Sequence, residues 1–278
     1  MNIKPSVVNF HFVDFCNYNC IYCFVKKISR MTSFLKFTLI IDNIEKYFHS
    51  SKIHGRINLV GGEVFVCSYL QDVIDYAFKK NIDVSLVTNG SLLTKEFIID
   101  NKDKLTSIGI SVDSLNEDTN IKIGRCQKNK VLNNDSIIEL CECIKSNGIK
   151  LKINHCVSKM NIDEDISWFI DKVKPDRFKI FQMTVVEGIN DKASDLQINS
   201  QEFERYCEKY KHFNPVIENE DEMKSSYLII DSDGDIYFNS ANKRLGNALS
   251  DDLYKIIDTN SFNEKAYLKR YEIAKNEL

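Results

Sequence analysis

Short apolar runs alternate with amphipathic stretches along the first two thirds of this chain. The runs are rich in valine, isoleucine and phenylalanine and only five or six residues long, which is typical of buried strands. Amphipathic stretches such as 69–80 and 136–146 separate them, with apolar residues three or four positions apart, as in helices. The alternation predicts βαβ units and a parallel sheet. The predicted strands cover residues 7–12, 56–60, 83–88, 107–111, 150–154 and 178–182.

Six strand–helix repeats, rather than eight, predict an α/β fold that forms an open, partial (β/α)6 barrel. Ligands of such folds bind at the carboxyl ends of the strands. We therefore expect a ligand site at one mouth of the barrel, built from residues near these ends. The residues are Cys16, Gly61, Asn89, Ser111, Asn154 and Gln182.

The pattern changes after residue 186. We expect residues 1–186 to form the barrel core, and residues 187–278 to form a C-terminal extension that packs on the barrel mouth and helps to close the site. An Asp-rich turn in the extension resembles part of a calcium loop, but Asn242 stands where such a loop needs glutamate, so calcium is not favoured. The predicted elements are a loop over 187–199, a helix over 200–211 capped by Ser200, a hairpin of 227–230 with 236–238, and a charged helix over 262–278.

Composition and charge narrow the class of protein. The 278 residues are 43% hydrophobic and 28% charged, as in a soluble globular protein, and the net charge of −3 does not favour nucleic-acid or membrane binding. We expect no signal peptide before the first strand, and no apolar stretch reaches the roughly 18 residues of a membrane span. Nine cysteines without such a signal favour a reducing cytoplasmic compartment, and the odd number argues against a disulfide framework.

Three of these cysteines, Cys16, Cys20 and Cys23, form a C-x3-C-x2-C pattern. A [4Fe–4S] cluster normally takes four thiolates, so three would leave one iron open to chelate a small molecule. The alternative is a zinc site, which needs four ligands and could take His11 as the fourth. The other six cysteines are scattered, and we interpret them as ordinary thiols.

A second pattern, Gly61-Gly62-Glu63, follows the second predicted strand. Paired glycines let the backbone approach a ligand and offer it amides, and an adjacent carboxylate can receive an ammonium group. Those properties suit the amino-acid end of S-adenosylmethionine (SAM). The alternative is a tight turn after a strand, with no ligand.

The cysteine triad and the glycine pair resemble the radical SAM superfamily, and further segments resemble the viperin family within it. The resemblance runs in order from about residue 5 to about residue 270. The segments are Asn9-Phe-His-Phe, Cys16-Asn-Tyr-Asn-Cys20, Val87-Thr-Asn-Gly-Ser-Leu92, Ile110-Ser-Val-Asp-Ser114, Ile123-Gly-Arg125, Lys152-Ile-Asn154, Phe178-Lys-Ile-Phe-Gln182, Glu187-Gly188, Phe203-Glu-Arg205 and Ser226-Tyr-Leu-Ile229.

The resemblance implies a radical reaction on a nucleoside triphosphate. The expected cofactors are a [4Fe–4S] cluster and SAM, which is cleaved to methionine and a 5′-deoxyadenosyl radical. That radical takes the 4′ hydrogen of the ribose, the 3′ hydroxyl leaves as water, and one electron and one proton complete the 3′-deoxy-3′,4′-didehydro product. The product terminates nucleic-acid chains, which implies antiviral or antiphage defence. CTP is the first choice of substrate, with UTP and GTP open, and we expect a cytoplasmic monomer that needs an external one-electron reductant.

The resemblance also assigns residues. A triphosphate requires several cations in one pocket. Within a strand, alternation places Lys152 and Asn154 on one face, and likewise Arg177 and Lys179. Solvated strand-end charges are the alternative. Arg125 is expected on the SAM carboxylate, or else is a surface arginine, and Tyr227 is a hydrogen or proton donor, or else a core tyrosine. The expected cluster ligands are Cys16, Cys20 and Cys23; the SAM contacts are Tyr22, Phe24, Gly61, Gly62, Glu63, Asn89, Ser111 and Arg125; the substrate contacts are Asn9, His11, Arg56, Lys152, Asn154, Arg177 and Lys179.

The chain departs from the family pattern in several places. Val64 replaces the proline of the family's Gly-Gly-Glu-Pro, and the membrane-binding N-terminal extension of animal viperins is not expected. The tail after Leu268 is short, so the sequence does not decide whether it closes over the nucleotide. Residues 238–243 also differ, which bears on base selectivity. Two other functions stay open: a radical SAM enzyme that modifies peptides, although the C-terminal third holds only Cys207, and a non-catalytic zinc module.

Overall fold

The computed structural model describes residues 3–25, 31–238, 243–260 and 262–275. Residues 239–242, within the segment expected to influence base selectivity, and the last three residues of the predicted terminal helix therefore lie outside the described residues. Across the described ranges, no helix combines the length and apolar character needed to cross a membrane.

The described chain contains short strands separated mostly by helices. The strands are β1 (Val7–Val13), β2 (Arg56–Gly61), β3 (Asp83–Thr88), β4 (Leu105–Ser111), β5 (Lys150–Val157), β6 (Arg177–Gln182), β7 (Val216–Glu218), β8 (Leu228–Ile230), β9 (Asp235–Phe238) and β10 (Gly246–Asn247). The helices are α1 (Phe34–Ser51), α2 (Leu70–Lys79), α3 (Lys95–Asp100), α4 (Glu117–Lys122), α5 (Asn134–Ser146), α6 (Ser167–Val173), α7 (Ser200–Glu208), α8 (Glu220–Met223), α9 (Leu253–Thr259) and α10 (Glu264–Lys275). All six strands predicted from the sequence are confirmed.

The chain divides into two compact units. The first unit comprises residues up to 15, then 27–86, and then 221 onward, and the second comprises 16–26 and 87–220. The boundary predicted at residue 186 stays a prediction.

The first unit is built on β1, whose residues are almost all buried. β1 pairs in parallel with β2 on one side and with β8 on the other, and β2 pairs in parallel with β3. β8, β9 and β10 are joined antiparallel, so the predicted hairpin is confirmed. Helix α1 begins after Ser33, whose hydroxyl accepts from the Lys36 amide, and it buries apolar residues three or four positions apart, including Ile40, Ile44 and Tyr47.

The second unit carries β4, β5, β6 and β7 in that order, all parallel. Strand β7 lies beyond the six predicted strands, so the sequence did not reveal the partner on that side of β6. The described strand pairings close neither unit into a complete barrel, in agreement with the open fold that was predicted.

Two local predictions in the C-terminal part need correction. Helix α7 is capped by Asn199 and not by Ser200, because the Asn199 side chain accepts from the Glu202 amide while the Glu202 carboxylate accepts from the Asn199 amide. The segment predicted as a loop contains a 3-10 turn, Asp191–Leu196, with Ala193 buried.

The Asp-rich turn between β8 and β9 is an ordinary turn held by its own first carboxylate. Asp231 accepts from the amides of Asp233 and Asp235 at 3.0 and 2.9 Å. Burial, as the largest cause, raises the pKa of the Asp231 carboxyl.

Candidate active site

The cysteine loop, defined here as residues 16–25, belongs to the second unit and follows β1 directly along the chain. Cys16, Cys20 and Cys23 are half-buried, and all nine cysteines, each within the described residues, carry free thiols. The loop is bound to the turn after α4 by two backbone hydrogen bonds. The Asn19 amide donates to the Gly124 carbonyl at 3.0 Å, and the Ile21 amide donates to the Ile123 carbonyl at 2.9 Å.

Gly124 is required by this contact. Its φ of +79° lies in the left-handed region, and a Cβ there would lie 2.8 Å from the Asn19 carbonyl carbon and would overlap the carbonyl oxygen. Only glycine lets the two backbones approach this closely, so the Ile123-Gly-Arg125 segment supports the cysteine loop through direct backbone contact.

The first cysteine is surrounded by amide side chains. Asn89, which follows β3, donates from Nδ2 to Asn17 Oδ1 at 2.9 Å and lies 3.8 Å from Cys16 Sγ. Asn17 donates in turn to Ser91 Oγ at 2.8 Å. The sequence predicted Asn89 as a SAM contact, and the structure shows that it also orients the residue after the first cysteine. Asn17 itself was not singled out.

Asp113 connects the cysteine loop to Arg125. Its Oδ2 accepts from the Tyr22 hydroxyl and from Arg125 Nη1, each at 2.9 Å, and its Oδ1 accepts from the Cys156 amide at 2.8 Å. The Arg125 Nη2 donates to the Ser111 carbonyl at 2.5 Å. Arg125 is only 9% exposed, so the surface-arginine alternative is wrong. Burial by itself lowers the pKa of Arg125, but nearby acidic groups, Asp113 foremost, outweigh it and raise that pKa.

Tyr22 fixes the middle of the loop through both its ring and its backbone. The ring is buried in an apolar cluster with Ile123, Cys156, Met183 and Ala193. The Tyr22 carbonyl accepts from Asn190 Nδ2 at 3.0 Å, in a segment that the sequence predicted only as a loop. Burial, followed by the Asp113 charge, raises the pKa of the Tyr22 hydroxyl, so it is a firm hydrogen-bond donor. Phe24, by contrast, is 54% exposed.

The glycine pair lies in the first unit, at the end of β2. The Gly62 amide donates to the Val13 carbonyl at 2.5 Å, and the Glu63 amide donates to the Phe15 carbonyl at 2.9 Å. A Cβ at Gly62 would overlap the Phe15 carbonyl. The Gly62 amide is thus used within the protein, and close packing against residues 13–15 explains the glycine. Glu63 is buried, and its Oε1 accepts from the Phe65 amide at 3.2 Å.

The first unit also holds the other substrate candidates from the N-terminal strands. Asn9 Oδ1 accepts from Asn58 Nδ2 at 2.9 Å, and Asn58 Oδ1 accepts from Ser85 Oγ at 2.9 Å, so a polar row crosses β1, β2 and β3. His11, two residues further along β1, is half-buried, and burial lowers its pKa to about 4. Arg56 is the first residue of β2, and its buried Nε has no hydrogen-bond partner among the described residues.

Tyr227 is neither fully buried nor exposed. The Arg270 guanidinium lies 3.6 Å from the centre of its ring and donates to the Ser226 carbonyl at 2.8 Å and to Ser226 Oγ at 2.7 Å. Arg270, which was not singled out in the sequence, therefore fixes the ring of the predicted donor.

The second unit places the other cations on one face, as strand alternation predicted. Lys152 stands opposite Arg177 and Asn154 opposite Lys179 across β5 and β6, and all four side chains are half-buried. The prediction that Asn154 stands at the carboxyl end of its strand was wrong, because β5 extends to Val157. Lys152 and Lys179 also lie within their strands. The other expected strand-end residues are confirmed at or just after the ends of their strands: Cys16, Gly61, Asn89, Ser111 and Gln182.

Lys179 has an acidic neighbour that the sequence did not indicate. Its Nζ lies 3.0 Å from Glu218 Oε2 on β7, and the Glu218 side chain is only 3% exposed. The basic face thus contains a carboxylate at its edge, which balances part of its positive charge.

The comparisons with known proteins agree with this arrangement. Residues 10–173 match the radical SAM superfamily. Among solved structures, anSMEcpe with bound AdoMet superimposes with a TM-score of 0.70 at 14% identity over 97% of this chain and 82% of that chain. Streptococcus suis SuiB bound to S-adenosylmethionine gives a TM-score of 0.67 at 18% identity over 95% and 67%. At these identities the likeness shows the fold.

The residues of the cysteine loop fit the cluster that the superfamily carries. Within the described ranges, no three cysteine, histidine or acidic side chains lie close enough together to share one metal ion. A [4Fe–4S] cluster does not require that, because each thiolate binds its own iron. Three free, half-buried thiols on a loop held by backbone hydrogen bonds provide the donors. The cofactors are a [4Fe–4S] cluster, for which Cys16, Cys20 and Cys23 are the expected ligands, and SAM.

Relatives cover nearly the whole chain. The S-adenosylmethionine-dependent nucleotide dehydratase of Psychrobacter lutiphocae is 33% identical over 98% of this chain and 96% of its own length. The protein of the same name from Flammeovirga pacifica is also 33% identical, over 96% and 92%. The S-adenosylmethionine-dependent nucleotide dehydratase RSAD2 of Oncorhynchus mykiss is 30% identical over 96% of this chain and 79% of its own length. The chain belongs to the radical SAM superfamily and, within it, to the S-adenosylmethionine-dependent nucleotide dehydratases, the viperins.

Proposed function

We propose that this radical SAM nucleotide dehydratase acts on a nucleoside triphosphate and releases its 3′-deoxy-3′,4′-didehydro derivative. CTP is the preferred substrate, before UTP and GTP. The observation that carries the proposal is the basic face of Lys152, Arg177 and Lys179, held in register on β5 and β6. The product lacks a 3′ hydroxyl, so a polymerase that incorporates it cannot extend the chain, and the protein serves in defence against viruses or phages.

The charge on this face suits a polyphosphate. Desolvating three linked phosphates is costly unless several cations and hydrogen-bond donors replace water. Lys152, Arg177 and Lys179 supply three cations, Asn154 adds an amide, and Glu218 offsets one charge. In the first unit, we assign Arg56 to the phosphates and Asn9 and His11 to the rest of the nucleotide.

Residues of the cysteine loop and its supports are assigned to SAM. The described hydrogen-bond partners of the Arg125 guanidinium are Asp113 and the Ser111 carbonyl, so three of its five N–H groups are available for the SAM carboxylate. Glu63 is assigned to the ammonium group, and Asn89, Tyr22 and Phe24 to contacts beside the cluster. When bound, the reduced cluster and SAM supply a 5′-deoxyadenosyl radical that removes hydrogen from the ribose.

Tyr227 is proposed to deliver the proton with which the 3′ hydroxyl leaves as water, and one electron then completes the didehydro product. The Arg270 guanidinium packs on the face of the Tyr227 ring and restricts the movement of that ring. The electron comes from an external one-electron reductant, and the enzyme works as a cytoplasmic monomer without binding nucleic acid or membrane.

The test is a product survey under anaerobic conditions. Reconstituted protein is incubated with SAM, dithionite and each of the four nucleoside triphosphates, and 5′-deoxyadenosine and nucleotides are followed by mass spectrometry. We expect 5′-deoxyadenosine to increase with CTP, together with a nucleotide lighter by one water. Formation of 5′-deoxyadenosine that no nucleotide increases would contradict the substrate assignment.

Two variants sharpen this test. Lys152→Gln should raise the KM for CTP about tenfold or more, because one charge-assisted phosphate contact is lost, while SAM cleavage without nucleotide is unchanged. Lys211→Gln is the matched control, since Lys211 is exposed and its described ion pair is with Glu208, three residues earlier in the chain. Equal effects of the two variants would argue against the phosphate assignment.

A further inference from the structure

We propose that Asp113 is a positioning residue that keeps the cysteine loop and Arg125 at one fixed spacing. The part that concerns SAM rests on the proposed contact between Arg125 and the SAM carboxylate. All the residues involved belong to the second unit: Asp113, Tyr22, Arg125, Cys156 and Asn190.

The Asp113 carboxylate is fully engaged within the protein. It accepts three hydrogen bonds, from the Tyr22 hydroxyl, Arg125 Nη1 and the Cys156 amide, and the residue is 3% exposed. Its own carbonyl accepts from Asn161 Nδ2 at 2.5 Å, so its backbone is fixed as well. Because the side chain is almost completely buried and both oxygens accept hydrogen bonds within the protein, we infer that it influences the chemistry through its partners and not by touching substrate.

The first partner, Tyr22, couples the position of Asp113 to that of the cysteine loop. Tyr22 lies between Cys20 and Cys23, its ring is buried, and its carbonyl is held by Asn190. The side chain of Tyr22 therefore moves only together with the loop. Because Asp113 holds the hydroxyl at 2.9 Å, the far end of the ring has a fixed reference point two residues beyond β4.

The second partner transmits the same reference to SAM. The oxygen that accepts from Tyr22 also accepts from Arg125, so one atom sets both distances. A second hydrogen bond, to the Ser111 carbonyl, fixes the plane of the guanidinium. A single carboxylate oxygen thus relates the loop that holds the cluster to the arginine that receives the SAM carboxylate.

A purely structural role predicts something different. A buried ion pair that only stabilised the fold would, when weakened, lower the melting temperature without a specific effect on iron or SAM. The experiment must therefore measure iron retention and SAM binding directly, and neither measurement should involve nucleotide, so that failure of the nucleotide assignment does not affect it.

The variants are Asp113→Asn, which keeps the shape and removes the charge, and Tyr22→Phe, which removes only the hydroxyl. Tyr210→Phe is the matched control, because Tyr210 is also a buried tyrosine of the same unit, and the described partners of its hydroxyl, Ile166, Tyr206 and Asp165, lie outside the loop. Each protein is reconstituted anaerobically, and its melting temperature is recorded. We then measure the rate of iron loss to a chelator. We also measure the SAM concentration at which half of the change in the cluster's electron paramagnetic resonance spectrum has occurred.

We expect Tyr22→Phe to lose iron about fivefold faster than the wild type, since one hydrogen bond of the loop is lost. Asp113→Asn should lose iron at least as fast and also need about tenfold more SAM, because its hydrogen bonds to both Tyr22 and Arg125 are weakened. Tyr210→Phe should change neither value. Wild-type iron loss and SAM response in Asp113→Asn would overturn the proposal, as would equal changes in Tyr210→Phe.

Arg125→Lys separates the proposal from the assignment on which it rests. Lysine cannot bridge Asp113 and a carboxylate with the same planar geometry. If Arg125→Lys responds to SAM like the wild type, the SAM contact assigned to Arg125 is wrong and the arginine part of the proposal is overturned, while the loop part is judged on Tyr22→Phe and Asp113→Asn.

Discussion

Replacing Gly124 by alanine tests how the turn after α4 supports the cysteine loop. The change adds one methyl group at a residue whose φ is +79° and whose backbone packs on Asn19. Gly148 provides a matched control, because its φ is +76° and a Cβ there would meet nothing within 4 Å. Both variants therefore carry the same backbone strain, and only Gly124→Ala collides with the loop.

The size of the effect follows from the contacts. The left-handed conformation costs alanine about 1–2 kcal/mol in either variant. At Gly124 the new Cβ would also lie 2.8 Å from the Asn19 carbonyl carbon, where carbon atoms ordinarily remain about 3.5–4.0 Å apart, so the loop must recede by about 1 Å. That movement breaks the two hydrogen bonds from Asn19 and Ile21, each contributing about 1 kcal/mol. We expect Gly124→Ala to be less stable than Gly148→Ala by about 2 kcal/mol.

Urea unfolding of the two apo variants gives the difference in the free energy of unfolding. Iron and sulfide analysis after anaerobic reconstitution then shows whether the displaced loop still holds a cluster, and we expect Gly124→Ala to incorporate less than half the iron of Gly148→Ala. Equal stability and equal iron content in the two variants would refute the argument that this glycine is needed for close approach to the loop.

Three further predictions concern the other candidate residues. Lys179→Met should lower the free energy of unfolding by about 2–3 kcal/mol in urea titrations, since it removes an ion-pair partner of buried Glu218, and an unchanged or higher free energy of unfolding would mean that the pair adds no stability. Because burial lowers the pKa of His11 to about 4, its contribution to stability should be complete above about pH 6.5 and be lost as the pH falls from 6.5 to 4, by about 3 kcal/mol at most. His11→Asn should flatten the pH–stability curve in that window, and an unchanged curve would argue against a His11 imidazole that the fold keeps neutral. Arg270→Met should release the ring of Tyr227, so that the ratio of 5′-deoxyadenosine to dehydrated nucleotide rises severalfold. An unchanged ratio would mean that Arg270 does not support the role proposed for Tyr227.

Predictions that rest on local periodicity were confirmed. Strand β3 has the predicted bounds, and the alternation within β5 and β6 correctly placed Lys152, Asn154, Arg177 and Lys179 on one face. Burial alternates with a period of two in a strand, so the sequence reports it directly. Strand ends were less well predicted, because three further residues after Asn154 continue the ladder of β5 with β6.

By itself, the sequence determined the positions of the first six strands, the spacing of Cys16, Cys20 and Cys23, and the presence of Gly61-Gly62-Glu63, because each of these features is local in the chain. Only the tertiary structure decided which groups those residues contact. Asp113 joins Tyr22 and Arg125, the Gly62 amide is used by Val13, and Lys179 meets Glu218 on a strand outside the six predicted. Such pairs depend on strand order, register and close backbone packing between distant parts of the chain, which the periodicity of a single sequence does not encode.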